Sequence, residues 1–369
     1  MVLSNSPTAL DSVSILDMLS VHEHEQVLFC YDSATGLRAI IAIHNTVLGP
    51  ALGGTRLWQY AEEKQALTDV LRLSRGMTFK AAISGLDLGG GKAVIIGQPT
   101  IKSEALFRRF GQFVDSLSGK YITAEDVNIS VKDVELMMKE TQHVVGRSES
   151  NGGSGDPSPV TAYGVYMGIK ACLKHRTGSE SLAQKTVLVQ GTGKVGEALA
   201  KLLHHDGAKL ILFDIDKERV KKVAQETNAQ IIHDESEIAS TPCDVYAPCA
   251  LGAGLNPTTI PQLNCSIVAG AANNQLLEEK RDGQALKEKD ILYAPDFLIN
   301  AGGLINVSNE RIGYNAQRAK HQTEGIYDTL LSVINIAEQE NITPHEAALR
   351  FALDRIDRVA KINAYSKKW

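Results

Sequence analysis

Residues 185–216 read KTVLVQGTGKVGEALAKLLHHDGAKLILFDID, and the fold class is decided here. An apolar run, Val187 to Val189, gives way to Gly191, Gly193 and Gly196; a helical pattern follows, and a second apolar run, Leu210 to Phe213, ends in Asp214. Strand, tight turn, helix and strand in that order form the opening unit of a doubly wound parallel sheet. The three glycines let the chain turn sharply, let a pyrophosphate approach the backbone and let the helix pack onto the strand. Val195, Ala198, Leu199, Leu202 and Leu203 recur at helical spacing and predict its buried face. The helix N-terminus is then left to meet an anion. Asp214, eighteen residues beyond Gly196, is placed to bond both ribose hydroxyls and to repel a 2′-phosphate. The turn therefore predicts NAD in preference to NADP.

A chain of 369 residues, 43% hydrophobic and 22% charged, is too long for one hydrophobic core and predicts two globular domains. A formal net charge of −5 argues against nucleic acid or an anionic membrane surface as partner, since both select a basic face. Small molecules are the expected partners. Five cysteines, Cys30, Cys172, Cys243, Cys249 and Cys265, show no CxxC spacing and are odd in number, so buried free thiols are expected, with no disulfide framework and no metal site. The start of the chain, MVLSNSPTALDSVS, lacks a basic segment joined to an apolar one, and no run of 18 apolar residues occurs, which predicts a cytoplasmic location.

In chain order, residues 1–13 read as a loose tail and Ser14 to Glu25 as a short helix. Gln26–Asp32 and Leu37–His44 are β-rich runs joined by Ser33–Gly36, a hairpin signal. GPALGGTRLW, residues 49–58, leaves room for a small molecule against its glycines. Glu62 to Lys80 reads as a helix with Ala66, Val70, Leu73 and Met77 inward, which puts Lys80 near its end. Three glycines, 89–91, precede Lys92, and an apolar strand is expected to start directly after it. A lysine at the mouth of a buried strand is poorly solvated, which lowers its pKa. Tyr121 to Asp126 reads as a strand ending in two acids, Glu125 and Asp126, of which only one can face a given cleft. Gly146 to Pro159 is rich in Gly, Ser and Pro and predicts a hinge at a domain boundary. Val160 to Lys174 reads as the following helix, with Thr161 as a hydrogen-bonding group at its start. Later apolar runs end in small or amide residues, which suits ligand binding at the carboxyl edge of the sheet.

An NAD enzyme needs a group for its substrate's charge and a proton carrier. The first half offers two lysines and an acid: one lysine to bind a carboxylate, a second of lowered pKa as acid and base, and Asp126 to pass protons to an amine.

GPALGGTRLW, GMTFKAA, GLDLGGGKAVIIG, YITAEDV, GDPSPVTAYG, APCALGAGLN, AGAANNQL and INAGGLINV follow one another in this chain. In that order they resemble the motifs of the amino-acid dehydrogenases for leucine, valine, phenylalanine and tryptophan, with the glutamate dehydrogenase superfamily behind them. The resemblance covers about residues 26 to 330. It implies an α/β fold of two domains separated by a cleft: residues 1–148 for substrate and oligomerisation, joined by a C-terminal helix at about 345–369, and 149–344 as a Rossmann-type NAD domain. It implies that Lys80 holds the substrate carboxylate, that Lys92 polarises the carbonyl and activates water, and that Asp126 shuttles protons at the amine. On the substrate side it adds Leu52, Gly53, Gly54, Ala124, Leu304 and Val307, all without a polar side chain, which predicts rejection of glutamate. On the cofactor side it implies Thr161, Gly191, Thr192, Gly193, Lys194, Val195, Gly196, Asp214, Ile215, Cys249, Ala250, Ala271, Asn273 and Asn274, the last also touching substrate. Lys194 stands where asparagine is common in such turns.

Leucine, isoleucine and valine lead as substrates. Leu304, bulkier than the valine common in leucine enzymes, keeps phenylalanine and tryptophan in view. A homo-oligomer is expected, with a dimer leading because the tail after Ala360 is short and ends KKW. Two rivals stand beside the dehydrogenase reading. A non-catalytic NAD sensor would bind nucleotide without turnover, and a hydroxy-acid dehydrogenase would want His or Arg where this chain has lysines.

Overall fold

The computed structural model describes residues 14–366 except 22 and 251; the expected tail over 1–13 and the terminal KKW lie outside them. The described residues divide into two units, those within 14–81, 87–147 and 359–366 in one, those within 82–86 and 148–358 in the other.

The first unit opens with α1 (Ile15–Val21), β1 (Gln26–Asp32) and β2 (Leu37–Asn45), then β3 (Ala51–Leu52), β4 (Thr55–Trp58), α2 (Glu63–Ile83), β5 (Gly89–Ile96), α3 (Glu104–Ser116), β6 (Tyr121–Ile122) and α4 (Val131–Met137). Its sheet runs β1-β2-β5-β3-β6, with β4 also on β5. The predicted hairpin forms with Gln26 opposite Ile43 and Asp32 opposite Leu37. The helix expected over 14–25 is shorter, ending at Val21.

Period two decides the two faces of this sheet. Ile41, Ile43, Ala93 and Ile95 face a core shared with Phe107, Phe110 and Val134, while Ile40, Ala42 and Val94 pack with Ala66, Leu67, Val70 and Leu71 of α2. The buried stripe of α2 is rotated from the predicted one, so that Ser74 and Thr78 are buried in place of Leu73 and Met77. The cause is Gly90: a Cβ there would lie 2.1 Å from Thr78 Oγ1 and 2.4 Å from Ser74 O, so only a bare backbone lets α2 come this close.

The second unit carries α5 (Ser158–Thr177), β7 (Thr186–Gln190), α6 (Lys194–His205), β8 (Lys209–Phe213), α7 (Lys217–Thr227), β9 (Gln230–Ile231), β10 (Val245–Pro248), β11 (Ile267–Val268), α8 (Glu279–Glu288), β12 (Leu292–Tyr293), α9 (Asp296–Ile299), α10 (Gly302–Ser308), α11 (Ala316–Glu324), α12 (Ile326–Gln339) and α13 (Pro344–Ser366). Its sheet is parallel, in the order β12-β11-β10-β7-β8-β9. The order turns back at β7, so the crevice at a doubly wound sheet's switch point lies where the glycine turn leaves β7. Residues of α13 up to Arg358 group with this unit and those from Val359 with the first. No helix among the described residues is long and apolar enough to cross a membrane.

Candidate active site

Lys92 lies inside β5, opposite Ala42, and not ahead of the strand as the three glycines suggested. Those glycines are themselves paired: Gly89 and Gly90 with β3, Gly90 and Gly91 with β2. Alternation puts Lys92 on the same face as Gly90 and Val94, under α2, and it is 7% exposed. Its ammonium donates to Asp126 Oδ2. Burial foremost, with the cations of Arg56 and then Lys80, lowers the Lys92 pKa to about 7 against the opposing Asp69 carboxylate. Lys80, half-buried in the last turn of α2, is thus electrostatically coupled to Lys92. The structure brings these three predicted residues into one cluster.

Asp126 does not end a strand. β6 stops at Ile122, Thr123 makes a single bridge to Val144, and Glu125 and Asp126 follow in a loop, so strand alternation does not govern which of the two faces Lys92. Asp126 is aimed by the Val127 N–H, which donates to its Oδ1 at 2.6 Å, and by Arg56, 3.8 Å from that oxygen. Arg56 also pairs with Asp69 at 2.9 Å, and the Tyr60 hydroxyl donates to Asp69 at 2.7 Å. Sequence reading missed Arg56, Asp69 and Tyr60. The only signal was Asp69 falling on α2 one residue before the inward-facing Val70.

Gly53 and Gly54 link β3 to β4. A Cβ on Gly53 would sit 1.7 Å from Gly91 O, and one on Gly54 2.3 Å from Glu125 O. Leu52 and Ala124 are buried in the first unit, Leu304 and Val307 in the second on α10, three residues apart and so on one helix face.

At the other predicted site, Gly191 leaves β7 at φ +97°, a conformation that L side chains avoid, and its N–H donates to Phe213 O at 2.7 Å. A Cβ on Gly196 would lie 1.9 Å from Gly191 O. That contact rotates the packed face of α6 to Gly196, Leu199, Ala200 and Leu203, leaving the predicted Val195, Ala198 and Leu202 only partly buried. Gly193 occupies the N-cap position with no side-chain cap, and a Cβ there would meet nothing within 4 Å. The first N–H groups of α6 are thus left without an intrahelical acceptor or a side-chain cap. Asp214 Oδ2 accepts from the Thr192 N–H at 2.7 Å and hydroxyl at 3.0 Å, and Oδ1 from the Asp216 N–H at 2.8 Å. Burial raises its pKa, but these donors and Arg219 outweigh that and hold the carboxyl below its usual range. Ile215 is 84% exposed beside it. Lys194 pairs with Asp156 at 3.1 Å, both largely exposed.

Thr161 lies in the first turn of its helix: α5 begins at Ser158 after Pro157, two residues earlier than expected, and the Thr161 hydroxyl donates back to Pro157 O at 3.0 Å. Gly303 allows α10 to approach that hydroxyl, since a Cβ there would lie 2.7 Å from it. Cys249 and Ala250 follow β10, with the Cys249 N–H on Gln190 O at 2.7 Å. Ala271, Asn273 and Asn274 form the loop after β11, Asn274 at φ +52°. Asn300, to which sequence reading gave no role, is buried and donates to Ala271 O at 3.1 Å and Asn273 Oδ1 at 2.8 Å, fixing that loop.

Residues 24–143 match the Glu/Leu/Phe/Val dehydrogenase dimerisation domain, and residues 152–214 and 212–362 match the Glutamate/Leucine/Phenylalanine/Valine dehydrogenase domain. The chain belongs to the Glu/Leu/Phe/Val dehydrogenase family. Over 350 residues it is 52% identical to the leucine dehydrogenase of Thermoactinomyces intermedius, covering 95% of each chain. It is 50% identical over 334 residues to the L-tryptophan dehydrogenase of Nostoc punctiforme, covering 90% of this chain and 94% of that one. The crystal structure of the latter organism's L-tryptophan dehydrogenase superposes with a TM-score of 0.84 at 46% identity, covering 94% of this chain and 99% of that one.

Membership of the Glu/Leu/Phe/Val dehydrogenase family makes the chain an oxidoreductase acting on the CH–NH2 group of amino acids with NAD as cofactor, and sets aside the sensor and hydroxy-acid readings. The residues present fit NAD: uncapped N–H groups at Gly193 for the pyrophosphate, and an ionised acid at the end of the second strand.

Proposed function

We propose that this chain catalyses the reversible, NAD-dependent oxidative deamination of a branched-chain L-amino acid, leucine foremost, to its 2-oxo acid and ammonia. The observation that carries the reading is Lys92: a lysine within a buried strand, in contact with an acid and near a second lysine. Substrate binds with its carboxylate on Lys80. The turn at Gly191–Gly196 and Asp214 would hold NAD, which would supply the acceptor for the hydride of the substrate Cα. Lys92, with a pKa of about 7, is neutral in a large fraction of molecules near neutral pH and takes a proton from the water that attacks the imine carbon. In its charged form it polarises the carbonyl oxygen of the product. Asp126, in contact with Lys92, passes protons to and from the departing nitrogen, which leaves as ammonia.

Leu52, Ala124, Leu304 and Val307 support an aliphatic substrate side chain and offer no partner to a second carboxylate. The 50% identity to an L-tryptophan dehydrogenase, together with Leu304, favours an aromatic amino acid as the second reading. The enzyme acts as a cytoplasmic homo-oligomer, a dimer in its simplest form, formed through the region that matches the dimerisation domain. The deciding experiment is kcat/KM with NAD for leucine, valine, phenylalanine, tryptophan and glutamate. Leucine is expected to lead and glutamate to be inert, whereas tryptophan above leucine by ~10-fold overturns the branched-chain reading. A monomer by light scattering at micromolar concentration overturns the oligomer.

A further inference from the structure

All strands of the second unit's sheet run the same way, so the ends where they begin form the edge opposite the glycine turn. There, Cys243 and Cys265 each stand two residues before the paired positions Val245 and Ile267 of β10 and β11. The Cys243 N–H donates to Asn264 O at 3.1 Å, which carries the parallel register down to the two cysteines. Residues opposite one another on neighbouring strands have backbones roughly 4.8 Å apart, inside the ~4.4–6.8 Å that a disulfide spans, and their Cβ atoms share a face. The two thiols are near enough to influence one another's protonation, which raises Cys243 and lowers Cys265. Both are only partly buried, against the expectation of buried thiols, and they line an open hollow of 530 Å³ together with Asp244, Ser266 and Lys289.

We propose that Cys243 and Cys265 form a two-thiol oxidation site, which hydroperoxides convert to a disulfide with Cys265 as the attacking sulfur. The Cys265 thiolate attacks one peroxide oxygen; the O–O bond breaks, and the departing hydroxide or alkoxide takes a proton and leaves as water or alcohol. Cys265 is then a sulfenic acid. The Cys243 sulfur attacks it, the S–S bond forms, the S–O bond breaks, and the Cys243 proton leaves with the oxygen as water. The sulfur pair loses two electrons and the peroxide gains them. The asymmetry follows from the surroundings. The neighbouring Cys243 thiol foremost, with the backbone N–H groups of Tyr246 and Ile267 and the Lys289 cation, brings the Cys265 pKa below the ordinary thiol value despite burial. The neighbouring Cys265 sulfur, with burial, pushes Cys243 well up. Burial pushes Cys30 and Cys172 to about 12, and Cys249, though partly exposed at the surface, to about 12 as well, which keeps these three largely in the less reactive thiol form.

The test treats the full-length folded protein with stoichiometric hydrogen peroxide, alkylates it and digests it without reductant. A Cys243–Cys265 linked peptide is expected, with the intact chain lighter by about 2 Da, the mass restored by dithiothreitol and the other three thiols still alkylatable after unfolding. C243S is expected to trap Cys265 as its dimedone adduct, and C265S to leave Cys243 unlabelled. Free thiols throughout, or linkage spread over the other cysteines, overturns the site, and the reverse dimedone pattern overturns Cys265 as nucleophile. If neither variant folds, the wild-type linkage decides alone.

Discussion

Around Lys92 the first unit gathers side-chain charge under a helix, with Asp126, Arg56, Asp69 and Lys80 each shaping the next. At Gly193 the second unit does the reverse, offering bare backbone N–H groups and keeping side chains out of the way. The first arrangement sets a protonation state. The second sets a shape, with Asp214 as its carboxylate and the exposed Lys194 and Arg219 at its margin. The two regions should therefore fail differently: changes near Lys92 should move rates and pH profiles, and changes near Gly193 should move cofactor affinity and local packing.

The largest effect expected is that of Lys92→Ala. Removing an acid–base group costs ~10²-fold or more in kcat. NADH absorbance with leucine at alkaline pH measures it, and an unchanged rate removes Lys92 from the mechanism. On the backbone side, Gly196→Ala forces a Cβ to 1.9 Å from Gly191 O. Overpacking of this kind costs ~1–3 kcal/mol and distorts the turn, so both thermal stability and NADH affinity should fall. Gly193→Ala is its control, because its Cβ enters open space: stability should hold within ~0.5 kcal/mol while NADH binding weakens. Equal losses of stability in the two variants, read by thermal melts and NADH titration, would break the distinction between packed and open glycines.

How legible each region was in the sequence follows from the same contrast. A glycine turn is dictated by backbone geometry, and the residues that satisfy it lie within one strand–turn–helix–strand unit, so Gly191, Gly193, Gly196 and Asp214 could be read locally. Buried charge is not local. Asp126 lies 34 residues from Lys92, and Arg56 reaches both Asp126 and Asp69 only because β4 sets it beside Val94 of β5, on the sheet face that α2 covers. Nothing in spacing announces those meetings. Errors of strand extent have the same origin, since the glycines at 89–91 and the acids at 125 and 126 were assigned from local pattern, whereas pairing with β2 and β3 and the end of β6 decided them. The rotation of α2 by Gly90 shows a close contact overriding an apolar stripe.

The pH profile sharpens the charged half of the comparison. The Lys92 amine is the required base, so kcat/KM for deamination should rise as pH passes through about 7 and level off above it. Arg56 disfavours the charged lysine. Arg56→Gln withdraws that cation, raises the Lys92 pKa and moves the rising limb to higher pH. A limb that stays in place or moves down means that the Arg56 cation does not set the Lys92 pKa.

The smallest effect is expected at Lys194, where family turns usually carry asparagine. Its side chain is 78% exposed and its partner Asp156 is 45% exposed, 3.1 Å away. An ion pair so open to water contributes at most ~1 kcal/mol. Lys194→Asn should therefore leave thermal stability almost unchanged and alter NAD affinity by no more than ~5-fold, a factor worth about 1 kcal/mol. The position does carry a cation beside uncapped N–H groups, so the sensitive readout is the ratio of NAD to NADP use. Loss of a positive charge near the turn should raise that ratio slightly, because Asp214, ionised and held by Thr192, already disfavours a 2′-phosphate. A large fall in NAD affinity would place Lys194 directly on the pyrophosphate. In that case the second region, too, depends on a charged side chain and is not set by backbone alone.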